Sequence, residues 1–257
     1  MHIAASGGVA RLVLDRPERH NAFDDALVAE LDTALERAAA DPAVRAVVLS
    51  ANGRSFCAGA DLDWMRRTAA LSRAENEADA VLLGRMLARL NTLPKPTVAL
   101  VQGGAYGGGV GLVAACDIAI AAEDTSFALS EVRLGLIPAV ICPYVIAAMG
   151  PRAARRLILT AERFEAAEAH RVGLVHMVVP GVELGEAGER VVAQLLRAGP
   201  EAAAAAKRLV DDIAGRPIDE ALVSETARRI AATRSSHEAA EGIAAFLERR
   251  APRWEPR

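Results

Sequence analysis

Two small-residue loops and one carboxylate are the parts of this sequence best suited to chemistry. The loops are Ala58–Asp61 and Gly103–Gly109. Small residues let backbone N–H groups approach a ligand closely, and a glycine turn that leads into a helix leaves N–H groups unpaired. Two such donors that meet at one oxygen atom form an oxyanion hole, where losing one donor raises the reaction barrier by about 3–4 kcal/mol.

The carboxylate is Glu131, which lies in the mostly apolar segment Phe127–Pro138. Burial would remove water from this group, raise its pKa and suit it to proton transfer. A structural alternative exists for each feature considered singly. An isolated acid in an apolar segment is more often part of a salt bridge, for which Arg133 is the nearby candidate, and glycine clusters are typical of turns.

Several other kinds of site are excluded by the motifs. The segment Gly103–Gly109 matches neither G-x-G-x-x-G nor a phosphate-binding loop, and no G-x-S-x-G motif occurs. No two histidines have metal-ligand spacing, so no metal site is predicted. The cysteines Cys57, Cys116 and Cys142 are far apart and odd in number, which indicates reduced thiols and a cytoplasmic location. Cys57 is closest to the two loops, and we expect it to be a packing residue.

Charge and hydropathy argue against nucleic-acid and membrane partners. The formal net charge is -3, with acids and bases interspersed, and no basic stripe is interleaved with aromatic residues. No basic segment followed by an apolar one marks a secretory signal at Met1–Gly8. The uncharged stretch Pro96–Cys116 is long enough to span a bilayer, but its glycines are poor in a helix interior. It instead predicts a buried strand, a glycine turn over Gly103–Gly109 and a buried helix over Val110–Cys116.

Strand and helix patterns alternate along the chain, which predicts an α/β fold. The predicted strands are short apolar runs: Val9–Leu14, Ala46–Leu49, Thr97–Gln102, Asp117–Ala121, Phe127–Leu129 and Val172–Val179. Helical periodicity covers Leu62–Leu90 with breaks, and a helix carrying Leu27, Leu31 and Leu35 is capped by Asp24 or Asp25. After Pro180 nearly everything is helical. We therefore predict a core over residues 1–197 and a helical C-terminal region over 198–257.

The order of these motifs resembles the crotonase (enoyl-CoA hydratase/isomerase) superfamily. The family pattern is an AGAD-like loop, a P-K-P strand entry, a glycine turn, a CD pair and an F-x-x-x-E segment that ends in G-x-x-P. Its counterparts here are Ala58–Asp61, Pro94–Pro96, Gly107–Gly109, Cys116-Asp117, Phe127 to Glu131, and Gly135–Pro138. Further matches extend from Arg16-Pro17 to Phe246-Leu247, so the resemblance covers essentially the whole chain.

The resemblance implies a spiral of ββα units and a C-terminal region that assembles homotrimers or dimers of trimers. It also implies an acyl-CoA substrate and no separate cofactor, because coenzyme A is part of the substrate. The amides of Ala60 and Gly108 would form the oxyanion hole, and Glu131 would be the catalytic carboxylate. The residues implied to bind substrate or coenzyme A are Ala58, Asp61, Leu62, Arg19 and His20.

One departure from the family pattern bears on the reaction. Hydratases with two glutamates carry the second one at the position of Gly111. Glu131 would then act alone through one water, or with help from Tyr106 or Tyr144, although both tyrosines are better explained as packing residues.

The segments Gly109–Leu112, Leu129–Ala139 and Pro143–Val145 resemble bacterial methylglutaconyl-CoA hydratases. We therefore expect hydration of a 2-enoyl-CoA with a branched or carboxylated acyl group. The alternatives are a Δ3,Δ2-enoyl-CoA isomerase, which needs one carboxylate, and a family member that binds acyl-CoA or RNA without turnover.

Overall fold

A six-stranded sheet forms the centre of the protein in the computed structural model, which describes residues 1–255. The strands lie in the spatial order β1 (His2–Ser6), β2 (Val9–Leu14), β3 (Ala46–Ala51), β4 (Thr97–Val101), β6 (Ile118–Ala122) and β9 (Met177–Val179). β1 pairs with β2 in antiparallel fashion, and all the other neighbours are parallel. Parallel neighbours require crossover connections, which helices provide here, and the predicted α/β class is confirmed.

Both faces of this sheet are covered, which explains why its inner strands are continuous apolar runs. In β3, Val47 and Leu49 belong to the larger core, while Val48 belongs to a second core on the opposite face. Helix α7 (Leu184–Arg197) covers that second face with Leu184 and Val192.

Nine further α-helices complete the described fold. The N-terminal ones start at side-chain caps: Asp24 accepts from the amide of Leu27, and Ser72 forms a capping box with Glu75. Ser72 explains the break inside the predicted Leu62–Leu90 helix. The helices are α1 (Asp25–Ala40), α2 (Leu62–Ala69), α3 (Arg73–Asn91), α4 (Gly108–Ala115), α5 (Cys142–Thr160), α6 (Ala166–Arg171), α8 (Pro200–Ile213), α9 (Glu220–Arg234) and α10 (His237–Leu247).

A smaller three-stranded sheet brings the glycine segment next to the segment that precedes Glu131. Its strands are β5 (Gly104–Tyr106), β7 (Ser126–Ala128) and β8 (Phe164–Glu165), in that spatial order. β5 and β7 are parallel, with Ala105 opposite Phe127. This sheet therefore connects two segments that are distant in sequence.

Two element predictions are wrong in their bounds, and one strand was not predicted. The segment Val172–Val179 is a strand only over its last three residues, because Val172 caps α6 and Gly173 turns with a φ of 90°. The glycine turn contains β5, and α4 begins at Gly108, two residues earlier than predicted. β1 was not predicted, since all five of its residues are exposed and carry no burial pattern.

The uncharged stretch Pro96–Cys116 forms β4, β5 and α4, as a buried strand and a buried helix joined through the glycines. Across residues 1–255, no helix has the length and apolar character needed to cross a membrane. After β9 the regular structure is entirely helical within the described residues. The division into 1–197 and 198–257 stays a prediction.

Candidate active site

The two small-residue loops lie side by side. The amide of Cys57 donates to Gly104 O at 3.1 Å, and the amide of Tyr106 donates to Cys57 O at 2.9 Å. Gly59 has a φ of 87°, and a Cβ there would lie 2.9 Å from Tyr106 O and 3.7 Å from Gly108 N. A side chain at position 59 would therefore push the loops apart, so glycine is required for their approach.

The Ala60 N–H points away from the adjacent segment of the chain at Phe23. Phe23 N donates to Gly59 O, and Asp61 N donates to Phe23 O, both at 2.7 Å. Gly59 C=O and Ala60 N–H belong to one trans peptide and point in opposite directions. Because the carbonyl faces Phe23, the Ala60 N–H faces the other side, and it donates to no acceptor within residues 1–255.

Gly108 provides the second unpaired amide. Gly107 donates its own N–H to Ala128 O at 2.9 Å, which fixes the turn before α4. Gly108 is the first residue of α4, so its N–H lies beyond the reach of the helix hydrogen bonds and at the positive end of the helix dipole. A Cβ at Gly108 would lie 2.9 Å from the ring of Phe23, so Phe23 contacts both loops.

Both amides and Glu131 lie on the wall of one cavity of about 430 Å³. The three come from different parts of the chain: the loop before α2, the start of α4, and a short 3-10 helix over Glu131–Leu134. The rest of the wall is mostly apolar. Its other residues are Phe23, Ala58, Gly59, Leu62, Trp64, Met65, Thr68, Asn76, Asp79, Ala80, Leu83, Gly107, Ser130, Leu134, Leu136, Ile137, Pro138, Ala139, Val140 and Ile141.

Glu131 is half-buried and has one oxygen without a partner. Its Oε2 is buried and makes no hydrogen bond to residues 1–255, while a Cβ at Gly107 would lie 2.9 Å from its Oε1. Burial raises the pKa of Glu131, and its own backbone N–H only partly offsets this. No salt bridge joins Glu131 to Arg133 in the described chain, so the structural alternative for Glu131 is not observed.

The position of a second carboxylate is filled by a hydrocarbon side chain. A Cβ at Gly111 would lie 2.3 Å from Ile141 Cγ2. Neither tyrosine replaces that carboxylate at the cavity wall. Neither Tyr106 nor Tyr144 is among the residues that line the cavity. The Tyr106 hydroxyl forms a hydrogen bond with Ser126 Oγ at 2.9 Å, and burial raises the pKa of the Tyr144 hydroxyl.

Asp61, Arg19 and His20 do not line the cavity. Asp61 is buried and caps α2, accepting from the amides of Asp63 at 2.8 Å and Trp64 at 3.2 Å. Its other oxygen accepts from Arg19 at 3.0 Å. His20 Nδ1 lies 3.0 Å from Ser55 Oγ. These contacts hold the first loop in place, and a role for the three residues toward coenzyme A stays a prediction.

Cys57 is a packing residue in this structure. It is completely buried, which raises the pKa of its thiol to about 12 and removes the thiolate that nucleophilic chemistry needs. A wall residue that the sequence analysis missed is Asp79, whose Oδ1 accepts from the indole N–H of Trp64 at 3.3 Å. An aspartate in a polar helical segment gives no sequence signal for such a position.

Comparisons with known proteins show what the whole chain is similar to. Residues 4–257 match a family described as enoyl-CoA hydratase/isomerase. The chain is 34% identical over 255 residues to 2,3-dehydroadipyl-CoA hydratase of Escherichia coli, covering 97% of this chain and 96% of the relative. It is 32% identical to carnitinyl-CoA dehydratase of Salmonella typhi, covering 100% and 98%. A crystal structure of an enoyl-CoA hydratase from Shewanella pealeana superposes with a TM-score of 0.96 at 46% identity, covering 98% of this chain and 94% of that one.

Proposed function

The chain belongs to the enoyl-CoA hydratase/isomerase family, and from that premise we propose that it adds water across the 2,3 double bond of an acyl-CoA thioester. The observation that carries this proposal is the meeting of three groups at one cavity. Two unpaired amides, Ala60 and Gly108, lie near a desolvated carboxylate, Glu131. Amides suit a carbonyl oxygen that gains negative charge, and a carboxylate with a raised pKa suits proton transfer.

In the proposed mechanism, the Glu131 carboxylate takes a proton from water as the water oxygen bonds to the β-carbon. The electrons of the double bond then move to the thioester oxygen and form an enolate. The amides of Ala60 and Gly108 donate hydrogen bonds to that oxygen. Glu131, now protonated, gives its proton to the α-carbon and returns to the carboxylate, so one carboxylate performs both transfers.

We propose a branched or carboxylated acyl group on the basis of the motif resemblance alone. The relatives named above act on dehydroadipyl-CoA and carnitinyl-CoA, and these acyl groups differ in charge. The acyl group of this chain's substrate therefore cannot be transferred from its relatives and has to be inferred from its own cavity.

For coenzyme A, the proposed contacts are Ala58 and Leu62 on the cavity wall, together with Asp61, Arg19 and His20, which do not line the cavity. The Arg19 side chain is 46% exposed although it pairs with Asp61 and Asp63, so its free face remains accessible to a phosphate.

A homotrimer or dimer of trimers is proposed for the assembly. Supporting it, large apolar side chains are exposed on the C-terminal helices, such as Val210 at 64% and Phe246 at 82%. A cytoplasmic location is proposed because the cysteines are free thiols.

One observation favours a second candidate, a Δ3,Δ2-enoyl-CoA isomerase. Ile141 occupies the space beside Gly111, so a two-carboxylate mechanism has no room at that position. A 1,3-proton shift needs a single carboxylate, so the packing of Ile141 against Gly111 does not interfere with it. Glu131 would then remove a proton from one carbon of the substrate and return it to another.

Absorbance of the conjugated enoyl thioester separates these reactions. With purified protein and a panel of acyl-CoAs, loss of conjugation from 2-enoyl-CoA supports hydration, and gain of conjugation from 3-enoyl-CoA supports isomerisation. Acyl-CoA binding without either change supports a binding protein and contradicts both enzymatic proposals. Binding to RNA in place of acyl-CoA would contradict all three.

A further inference from the structure

The cavity that Glu131 lines adjoins a second cavity. The second cavity has a volume of about 320 Å³ and lies between α1, α2 and α3. Three residues line both cavities and form the partition between them: Trp64 from α2 and Asp79 and Leu83 from α3. The indole N–H of Trp64 donates to Asp79 Oδ1 across this partition at 3.3 Å. We propose that the Trp64–Asp79 partition determines which acyl groups are accepted, by limiting their length and rejecting a terminal carboxylate.

The position of the partition follows from exposure. Leu62, Leu134 and Ile137 are 69%, 62% and 75% exposed, so they mark the mouth of the cavity. Trp64, Asp79 and Leu83 are half-buried and have the second cavity behind them. A coenzyme must remain connected to the mouth, so the acyl chain extends inward. This step rests on the proposed acyl-CoA function.

The charge of the cavity argues against a terminal carboxylate. Its two ionisable side chains, Glu131 and Asp79, are both acids, and no lysine, arginine or histidine lines it within residues 1–255. Asp79 has no cation within salt-bridge distance in that part of the chain. A carboxylate brought toward Asp79 would lose water and meet a like charge, and both effects weaken binding. An uncharged acyl chain avoids both costs. Of the two kinds of acyl group proposed above, this inference therefore retains the branched one and rejects the one with a terminal carboxylate.

Trp64 has the largest of the three side chains in the partition, so its truncation opens the most space. Beyond the partition, the second cavity offers apolar surface from Val28, Leu82 and Leu83. Its charged wall residues apart from Asp79 are Asp25, Asp32, Arg85 and Arg89, of which Arg89 pairs with Asp32. Trp64→Ala would connect the two spaces and give a longer acyl chain additional surface to cover. Asp79→Asn keeps an oxygen acceptor for the Trp64 indole and removes only the charge, so the two variants test length and charge separately.

The experiment measures binding of saturated acyl-CoAs, which cannot be hydrated, by calorimetry. In the wild type, we expect affinity to rise with chain length and then stop rising. In Trp64→Ala it should continue to rise for longer chains, with at least a tenfold gain for the longest. Two control variants should keep the wild-type limit on acyl-chain length. Met65→Ala enlarges only the first cavity, and Trp64→Phe keeps an aromatic ring in the partition.

For charge, the ratio of the dissociation constants of adipyl-CoA and hexanoyl-CoA should fall at least tenfold in Asp79→Asn. An unchanged length limit in Trp64→Ala, or an unchanged ratio in Asp79→Asn, would overturn the inference while leaving the proposed function intact. If Trp64→Ala does not fold, Leu83→Ala opens the same partition from α3 and carries the length test. Absence of binding of every acyl-CoA to the wild type would overturn the proposed function and this inference together.

Discussion

The side chain of Ile141 fills the space directly beside the α-carbon of Gly111. A Cβ at Gly111 would lie 2.3 Å from Ile141 Cγ2 and 2.9 Å from Ile141 Cβ. Gly111 is therefore part of a close contact between α4 and the start of α5, and its glycine has a packing reason independent of any reaction. The same contact explains why a one-carboxylate mechanism has to be considered for this chain.

Gly111→Ala should lower the free energy of unfolding by about 1–2 kcal/mol. Overpacking of a filled core typically costs about 1–3 kcal/mol, and the gain in helix propensity from alanine, about 0.5–1 kcal/mol, offsets only part of it. Urea unfolding measures the change. Gly185→Ala in α7, where no atom lies within 4 Å of the new Cβ, is the matched control and should be neutral or stabilising. A Gly111→Ala variant as stable as the control would contradict the packing.

Glu131→Gln should keep the fold and lower kcat by at least about 10²-fold, the usual contribution of a positioned acid–base group. The amide is nearly the same size as the carboxylate but cannot accept and return a proton. Steady-state turnover of an enoyl-CoA checks this, with circular dichroism as the test of folding. Arg133→Gln, two residues away and exposed, is the control and should retain activity. Full activity in Glu131→Gln would remove Glu131 from the mechanism.

Stability should respond to pH through Glu131. Because burial raises its pKa above the ordinary value of 4.5, the folded state holds its proton over a pH range in which the unfolded chain has released it. The free energy of unfolding of the wild type therefore loses a contribution as the pH rises through that range. Glu131→Gln has no such proton. Its stability relative to the wild type should increase from acid to neutral pH, and a pH-independent difference would be evidence that Glu131 is not desolvated.

Asp61→Ala should destabilise the protein by about 1–2 kcal/mol, since it removes the cap of α2. Burial opposes ionisation of Asp61, but hydrogen bonds from Arg19 and from the Trp64 and Asp63 amides outweigh it, so its pKa is lowered. The stability it provides is present at neutral pH and lost as the pH falls through that lowered pKa. Thermal unfolding at several pH values measures this. Asp63→Asn, an exposed neighbour that also pairs with Arg19, should have a smaller effect.

Sequence reasoning predicted the parts of the site that depend on local chemistry and motif order. The small-residue loops around Gly59 and Gly108 and the acid in an apolar segment, Glu131, could be singled out by residue type, while the roles assigned to them came from the family resemblance and stay predictions. The α/β class follows from alternating patterns in the same way.

Other parts depend on contacts between distant segments. Ile141 packs on Gly111, and Trp64 bonds to Asp79, only because α3, α4 and α5 come together in the folded chain. β1 was missed for a related reason, because its pairing with β2 leaves its side chains exposed and produces no apolar pattern.

In the proposed reaction, the amides of Ala60 and Gly108 hold one thioester oxygen. A crystal structure of the protein with a saturated acyl-CoA tests it most directly, through the two distances from that oxygen to the nitrogens of residues 60 and 108. We expect both distances to be about 2.7–3.1 Å, with Glu131 beside the carbons next to the thioester. An oxygen that contacts neither nitrogen, in a complex with the acyl chain inside the cavity, would contradict the account.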